Sequence, residues 1–335
     1  MTTPYVQLPV LVTGATGFVG GHLVQRLLEQ GARVSVLVRD ARRLAPGLAE
    51  RCRVVEGSLQ DAPALAAALQ GVAYVFHCAA NVATWGAWKD YAAANVQGVH
   101  ALLDAVEQRQ GSALRRLVHV STMDVYGFPA VPAQESAVLQ AVPFGYGESK
   151  RQGELAVQAR CARSGVSYAI LRPGNVVGPG SPFVARIGEA LASGWMLTVD
   201  GGRVHAGLLD VNNLLDVMLW AGVAPQAHQQ AYNVRDPWEM CWRDYIGDLR
   251  RGLGGQGRLL DMPYGIARAL AKAYAAPFAL LGAGREPLLH PLIVQIFGRT
   301  CGHSIEKLMT HGAQLGTLGY AQSLRRSLEW FQSRR

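Results

Sequence analysis

The stretch from residue 10 to residue 38 constrains this chain more than any other. Val10-Leu-Val12 is a short apolar run with the character of a buried strand, and Thr13-Gly14-Ala-Thr-Gly17-Phe-Val-Gly20 follows it directly. Val19, Leu23, Leu27 and Leu28 then recur at helical spacing, Gly31 supplies a C-cap, and residues 34–38 form a second β-rich run. Strand, glycine turn, helix and strand make a βαβ unit. In that setting the glycines permit a tight turn and close backbone approach, so a pyrophosphate can rest on the helix N-terminus.

The same alternation continues down the chain. Apolar β-rich runs occupy 53–55, 74–77, 116–120 and 168–171, with helical stretches at 62–69, 91–108 and 149–163. That order predicts an α/β fold, a doubly wound parallel sheet with helices on both faces. After Leu171 glycines and prolines cluster in Arg172-Pro-Gly-Asn-Val-Val-Gly-Pro-Gly180. Here the sequence predicts a change of character: residues 1–171 form the nucleotide-binding domain, and 172–335 form a smaller, mainly substrate-binding part interleaved with it.

Tyr146-Gly-Glu-Ser-Lys150 carries the chemistry. Four apart on a helix, the two side chains share a face. A phenol titrates near pH 10, too high for easy proton transfer at neutrality, and a neighbouring ammonium favours the phenolate. The pair is therefore expected to work as a general acid–base.

Composition narrows the function classes. Half of the 335 residues are hydrophobic, enough for a sizeable core. The five cysteines lie far apart with no Cys-x-x-Cys pair, which argues against zinc or a disulfide framework and for a reducing compartment. No signal peptide is apparent at the N-terminus, so a cytoplasmic location is expected. Net charge is +8, but the arginines are scattered and form no basic stripe, so no nucleic-acid partner is expected.

Taken with further runs in the same order, these features resemble the extended short-chain dehydrogenase/reductase family over nearly the whole chain. Val75-Phe-His77-Cys-Ala79-Ala80 is similar to the family's strand beside the nicotinamide ribose. Asn95-Val-Gln-Gly98 is similar to the helix carrying a structural asparagine. Val120-Ser121-Thr122-Met-Asp-Val-Tyr126-Gly127 is similar to the strand ending in the active-site hydroxyl, and Arg172-Pro173-Gly-Asn175-Val176-Val-Gly178-Pro179 to the loop past the nicotinamide. The resemblance implies a Rossmann-type fold, with Tyr146 as acid–base, Lys150 lowering its pKa and holding the nicotinamide ribose, and Thr122 holding the substrate oxygen. Ser121 would share that role, and Asn95 would support it structurally. Gly14, Thr16, Gly17, Phe18, Val19 and Gly20 would line the cofactor turn. Arg39, Ser58 and Leu59 would face the adenosine end, Ala79 and Ala80 the ribose, and Pro173, Asn175 and Val176 the far side of the nicotinamide. No metal is implied.

Members using NAD place an acid at the end of the second strand to bind the ribose diol. Val38 stands there, followed by Arg39, so NADP is favoured and NAD is the alternative, with Asp40 close by. Ser58 departs from the acidic residue common in the family near the adenine. Within the family the chain is closest to the 3β-hydroxysteroid dehydrogenase and dihydroflavonol reductase-like branch, through Leu209-Asp210-Val-Asn-Asn213, Trp242-Arg-Asp-Tyr-Ile246 and Leu318-Gly-Tyr320. Val82, Trp85, Trp88, Phe144, Trp195, Met196 and Leu208 are the expected pocket walls. They favour a small hydrophobic alcohol or ketone. A nucleotide-sugar epimerase or dehydratase is the alternative, with Arg186, Arg203 and Arg243 as cations for a second pyrophosphate. The resemblance also implies a homodimer through the two long central helices. The apolar segments 264–284 and 291–297 are expected to form a lid over the substrate, to lie on a membrane surface as a peripheral contact, or to pack on the second domain.

Overall fold

A computed structural model describes residues 4–109, 113–143, 145–280 and 286–334. Strands β1 (Pro9–Thr13), β2 (Arg33–Val38) and β3 (Arg53–Glu56) are linked through helices α1 (Phe18–Glu29) and a short 3₁₀ turn. Helix α2 (Ala62–Ala68) leads to β4 (Tyr74–His77). Next come α3 (Trp88–Tyr91), a π-helical turn at Ala92–Gln97 and α4 (Gly98–Glu107). The nucleotide-binding half closes with β5 (Arg116–Val120), α5 (Gly145–Ser164) and β6 (Tyr168–Pro173).

These strands make a wholly parallel sheet in the order β3-β2-β1-β4-β5-β6, extended at its edge by β10 (Gln230–Val234). The order reverses between β1 and β4, where two crossovers leave in opposite directions and open a crevice at the strand C-termini. Thr13 is in register with His77, and His77 with His119, so three strand ends align beneath that crevice. One sheet face is buried by α1 and α7 (Val211–Val223), the other by α2, α4 and α5. The sheet is doubly wound, as the alternating runs predict.

The chain after Leu171 is more regular than its glycines and prolines suggest. β7 (Asn175–Val177) pairs with β9 (Leu208–Asp210), and β8 (Trp195–Val199) with β11 (Arg258–Met262). Helices α6 (Pro182–Ala192), α8 (Trp242–Gly252), α9 (Tyr264–Leu280), α10 (Pro291–Gly298), α11 (Glu306–Thr310) and α12 (Tyr320–Ser333) surround them. The reason is positional. Pro182 and Pro291 stand at helix starts, where the missing N–H is an orphan anyway, and Ser181 caps α6 through its hydroxyl. A second core gathers around Trp242, Tyr245, Phe297 and Phe331. The segment also gives β10 and α7 back to the first unit, so the two parts interleave.

Candidate active site

At the cofactor turn the three glycines do different work. Gly14 has φ +76°, and a β-carbon there would fall 2.6 Å from the Ala79 nitrogen. One on Gly20 would fall 2.2 Å from the Gly14 carbonyl oxygen. These two let helix, turn and β4 exit close on one another. Gly17 meets nothing nearer than 3.3 Å, and it caps α1 with no side chain over the helix end. That leaves an open cradle of backbone N–H groups suited to a phosphate. Thr16 is exposed beside it, Phe18 packs edge-on to His22, and Val19 is half-buried. Thr13 Oγ1 accepts from the Ala79 amide at 3.3 Å and pairs with His77 Nδ1 at 2.7 Å, fixing the strand end that leads to Ala80.

At the adenosine end, Val38 is buried and Arg39 is exposed, with no hydrogen bond or ion pair among the described residues. Asp40 is already engaged, because its carboxylate accepts from Arg42 Nε at 2.9 Å, Nη2 at 3.0 Å and backbone N at 3.0 Å. Ser58 Oγ accepts from the Gln60 amide, and Leu59 packs over the α-carbon of Gly98. The residues present therefore fit a dinucleotide, with an unpaired guanidinium at the 2′ side.

Lys150 is buried in α5, and its ammonium donates to the Val120 carbonyl at 2.5 Å. Burial pulls its pKa down to about 8 against the opposing pull of Glu154. Tyr146, one turn earlier, is partly exposed, and the Thr122 hydroxyl beside it favours the phenolate. Its pKa is nonetheless raised above the ordinary phenol value, first by burial and then by the charge of Asp124. The expectation that Lys150 pulls this phenol down is corrected here. The ammonium is turned to a strand carbonyl, and the charge felt by Tyr146 is a carboxylate.

Thr122, two residues past β5, caps a 3₁₀ turn at Met123–Tyr126 in extended backbone, and its Oγ1 accepts from the Asp124 amide at 3.2 Å. Ser121 does not join it. Its hydroxyl donates to Glu154 at 2.5 Å, and Glu154 is held by Arg172 at 2.5 Å, both nearly inaccessible. Arg172 also donates to the Tyr126 hydroxyl, which donates to Asn233 at 2.8 Å. Ser121 thus belongs to a buried network behind the site, because a charge removed from water must be fully paired.

Asn95 sits in the π-helical turn. Its amide donates to the Asn81 carbonyl and Ser149 Oγ, and its carbonyl accepts from the Asn81 amide at 2.7 Å. It fastens the loop after β4 to α5. Pro173 ends β6, Asn175 donates to the Ala206 carbonyl at 2.6 Å, and the Val176 carbonyl accepts from Ser181.

Asp124 is the residue sequence reasoning missed, although it lies inside the quoted run 120–127. Burial raises its pKa to about 7. It lines a small pocket with Phe128, Asn175, Ile296, Arg299 and Cys301. The available signal was a carboxylate set between Met123 and Val125 at a strand end. The expected apolar walls divide. Trp85 packs tilted against His290, ring centres 5.5 Å apart, Val82, Trp88 and Trp195 are exposed, Met196 and Leu208 lie in the second core, and Phe144 falls outside the described residues. Arg186 is bonded to Glu286 and Thr84, while Arg203 and Arg243 are exposed.

Comparison with known proteins agrees with this fold. The model of the NAD dependent epimerase/dehydratase family matches residues 10–234. A 4-hydroxy-2-methyl-3-oxo-4-farnesyl-3,4-dihydroquinoline-1-oxide ketoreductase of Stigmatella aurantiaca is 28% identical over 319 aligned residues, covering 93% of each chain. The 3 beta-hydroxysteroid dehydrogenase type 7 of Homo sapiens is 28% identical, covering 98% of this chain and 96% of its own. Among solved structures, MoeE5 in complex with UDP-glucose and NAD superposes with a TM-score of 0.75 at 22% identity, over 97% of this chain and 99% of its own. The chain belongs to the NAD-dependent epimerase/dehydratase family. It is an NAD(P)-dependent enzyme of the extended short-chain dehydrogenase/reductase type.

Proposed function

We propose that this family member interconverts a secondary alcohol and a ketone on a hydrophobic substrate, using NADP(H). The observation that carries the reading is the convergence of the Tyr146 phenol and the Thr122 hydroxyl beside the pocket at Asp124. A nicotinamide dinucleotide held at the glycine turn would supply or accept the hydride. Tyr146 gives its proton to the ketone oxygen in reduction and takes one back in oxidation. Thr122 holds the same oxygen and fixes its approach. Because the phenol keeps its proton well above neutrality, the form present at pH 7 is the one that reduction consumes. Lys150 holds the ribose and backs Tyr146 from behind the strand.

Gly17 and the uncapped start of α1 would hold the pyrophosphate. Arg39 would make the forked contact to a 2′-phosphate, which favours NADP over NAD, since the neighbouring carboxylate is taken by Arg42. Isothermal titration with NADP⁺ and NAD⁺ tests this. Arg39→Ala should weaken NADP⁺ at least about tenfold and leave NAD⁺ nearly unchanged, in line with the worth of charge-assisted bonds.

Substrate class draws on the relatives whose similarity spans almost the whole chain, a ketoreductase of a farnesylated quinoline oxide and a hydroxysteroid dehydrogenase. The nucleotide-sugar alternative needs cations for a second pyrophosphate, and Arg186 is already spent on Glu286. A screen of lipophilic ketones for NADPH consumption decides. A melting-temperature rise with UDP- or dTDP-sugars, and none with ketones, would replace this reading.

A further inference from the structure

Helix α9 is built inside out. Its buried positions are Ala267, Ala271 and Ala275, which face the protein, while Ile266, Leu270 and Tyr274 stand 54%, 47% and 45% exposed. Residues fall 100° apart around a helix, so the exposed side from Ala276 round to Tyr274 is an apolar arc of about 160°. Leu280 belongs to that arc and is 86% exposed, and Leu260 on the strand entering the helix is half-exposed. A solvent-facing surface helix ordinarily shows the opposite pattern, and contiguous apolar surface of this kind marks an interaction site.

We propose that the exposed face of α9 docks on the surface of an anionic lipid bilayer. Charge selects this occupant. The helix carries Arg268 and Lys272, both exposed, and has no acidic residue along its length. At 100° per residue Lys272 lies about 40° and Arg268 about 80° beyond the Ala276 edge of the arc, on the flank where anionic headgroups around a half-sunk helix would meet them with opposite charge. Pro277 interrupts the helix, and none of the described helices is long and apolar enough to cross a membrane, so the contact lies in the interface plane. The site is close at hand. α10 packs against α9, and at its end Ile296 and Arg299 line the pocket beside Asp124. Arg299 is stacked over the Tyr264 ring, at the first residue of α9, at 4.2 Å. Delivery of a lipophilic ketone from the bilayer rests on the function proposed above; the docking itself does not.

Flotation of the full chain with vesicles of phosphatidylcholine and phosphatidylserine, and with phosphatidylcholine alone, reads the contact without any substrate. Binding to the anionic vesicles is expected, weakening with salt. Arg268→Gln and Lys272→Gln should each reduce it by about fivefold, the factor for one basic residue near such a surface. Leu270→Asp combined with Tyr274→Asp should reduce it at least about tenfold with an unchanged melting temperature, because both positions are exposed. Recovery of all wild-type protein in the soluble fraction would overturn the proposal. So would a dimer in sedimentation velocity that Leu270→Asp dissolves, since the face would then belong to a second copy.

Discussion

The Lys150 ammonium donates to the Val120 carbonyl at 2.5 Å, which ties the second turn of α5 to the end of β5, two residues before Thr122. The lysine therefore fixes the depth at which Tyr146 and Thr122 meet, and the charge that reaches the phenol comes from Asp124.

Tyr146→Phe should lower kcat by roughly 10² to 10⁴, the usual worth of a positioned proton donor, and leave the cofactor Kd within about twofold. Lys150→Ala should weaken both turnover and cofactor binding. Steady-state kinetics with titration calorimetry separates the two, and unchanged turnover in the phenylalanine variant would remove the mechanism.

Asp124→Asn should move the basic limb of the kcat–pH profile to lower pH. The carboxylate raises the Tyr146 pKa only when ionised, and its own pKa lies at about 7. Above pH 7 the variant phenol is then more acidic than the native one, and below pH 7 the two profiles should converge. Profiles that coincide throughout would show that the two groups do not sense each other.

Ser121→Ala should keep kcat within about threefold and cost about 1–2 kcal/mol of stability, since the hydroxyl serves the Glu154 carboxylate. Glu154→Gln should cost more, about 3–5 kcal/mol, because it leaves the buried Arg172 guanidinium uncompensated. Denaturant melts read both losses. A large fall in kcat with unchanged stability for Ser121→Ala would return Ser121 to the reacting atoms.

Acid should destabilise the fold from about pH 6.5 downward. Burial depresses His77 to about 3 and His303 to about 4, and pushes His119 well below its ordinary value. The unfolded chain takes up protons that these folded groups refuse, so their stabilisation is present above pH 6.5 and is lost as pH falls. Asp124 and Asp236, both raised to about 7, act in the opposite direction between about pH 4 and 7, and three imidazoles outweigh two carboxyls. Among the described residues neither ring nitrogen of His119 has a hydrogen-bond partner, so His119→Leu should raise stability by about 1–3 kcal/mol and flatten this limb. Melting temperatures from pH 4.5 to 7.5 check both effects.

Residues 10–38 announced the nucleotide-binding unit because everything it needs is local: apolar period, glycine spacing and a helix start within one short stretch. Strand alternation likewise announced the doubly wound sheet, and the four-residue spacing placed Tyr146 and Lys150 on one helix. What those side chains do once placed was not legible. Ser121 is claimed by a glutamate 33 residues away, Arg186 by one 100 residues away, and Tyr146 is charged upward by an aspartate from the neighbouring strand end. The apolar residues of α9 likewise left lid, membrane contact and domain packing open until packing turned its alanines inward. Backbone form follows from near neighbours along the chain, so the sequence determined the scaffold. Burial, pairing and proton affinity depend on groups brought together from distant positions, and only the tertiary structure decided those.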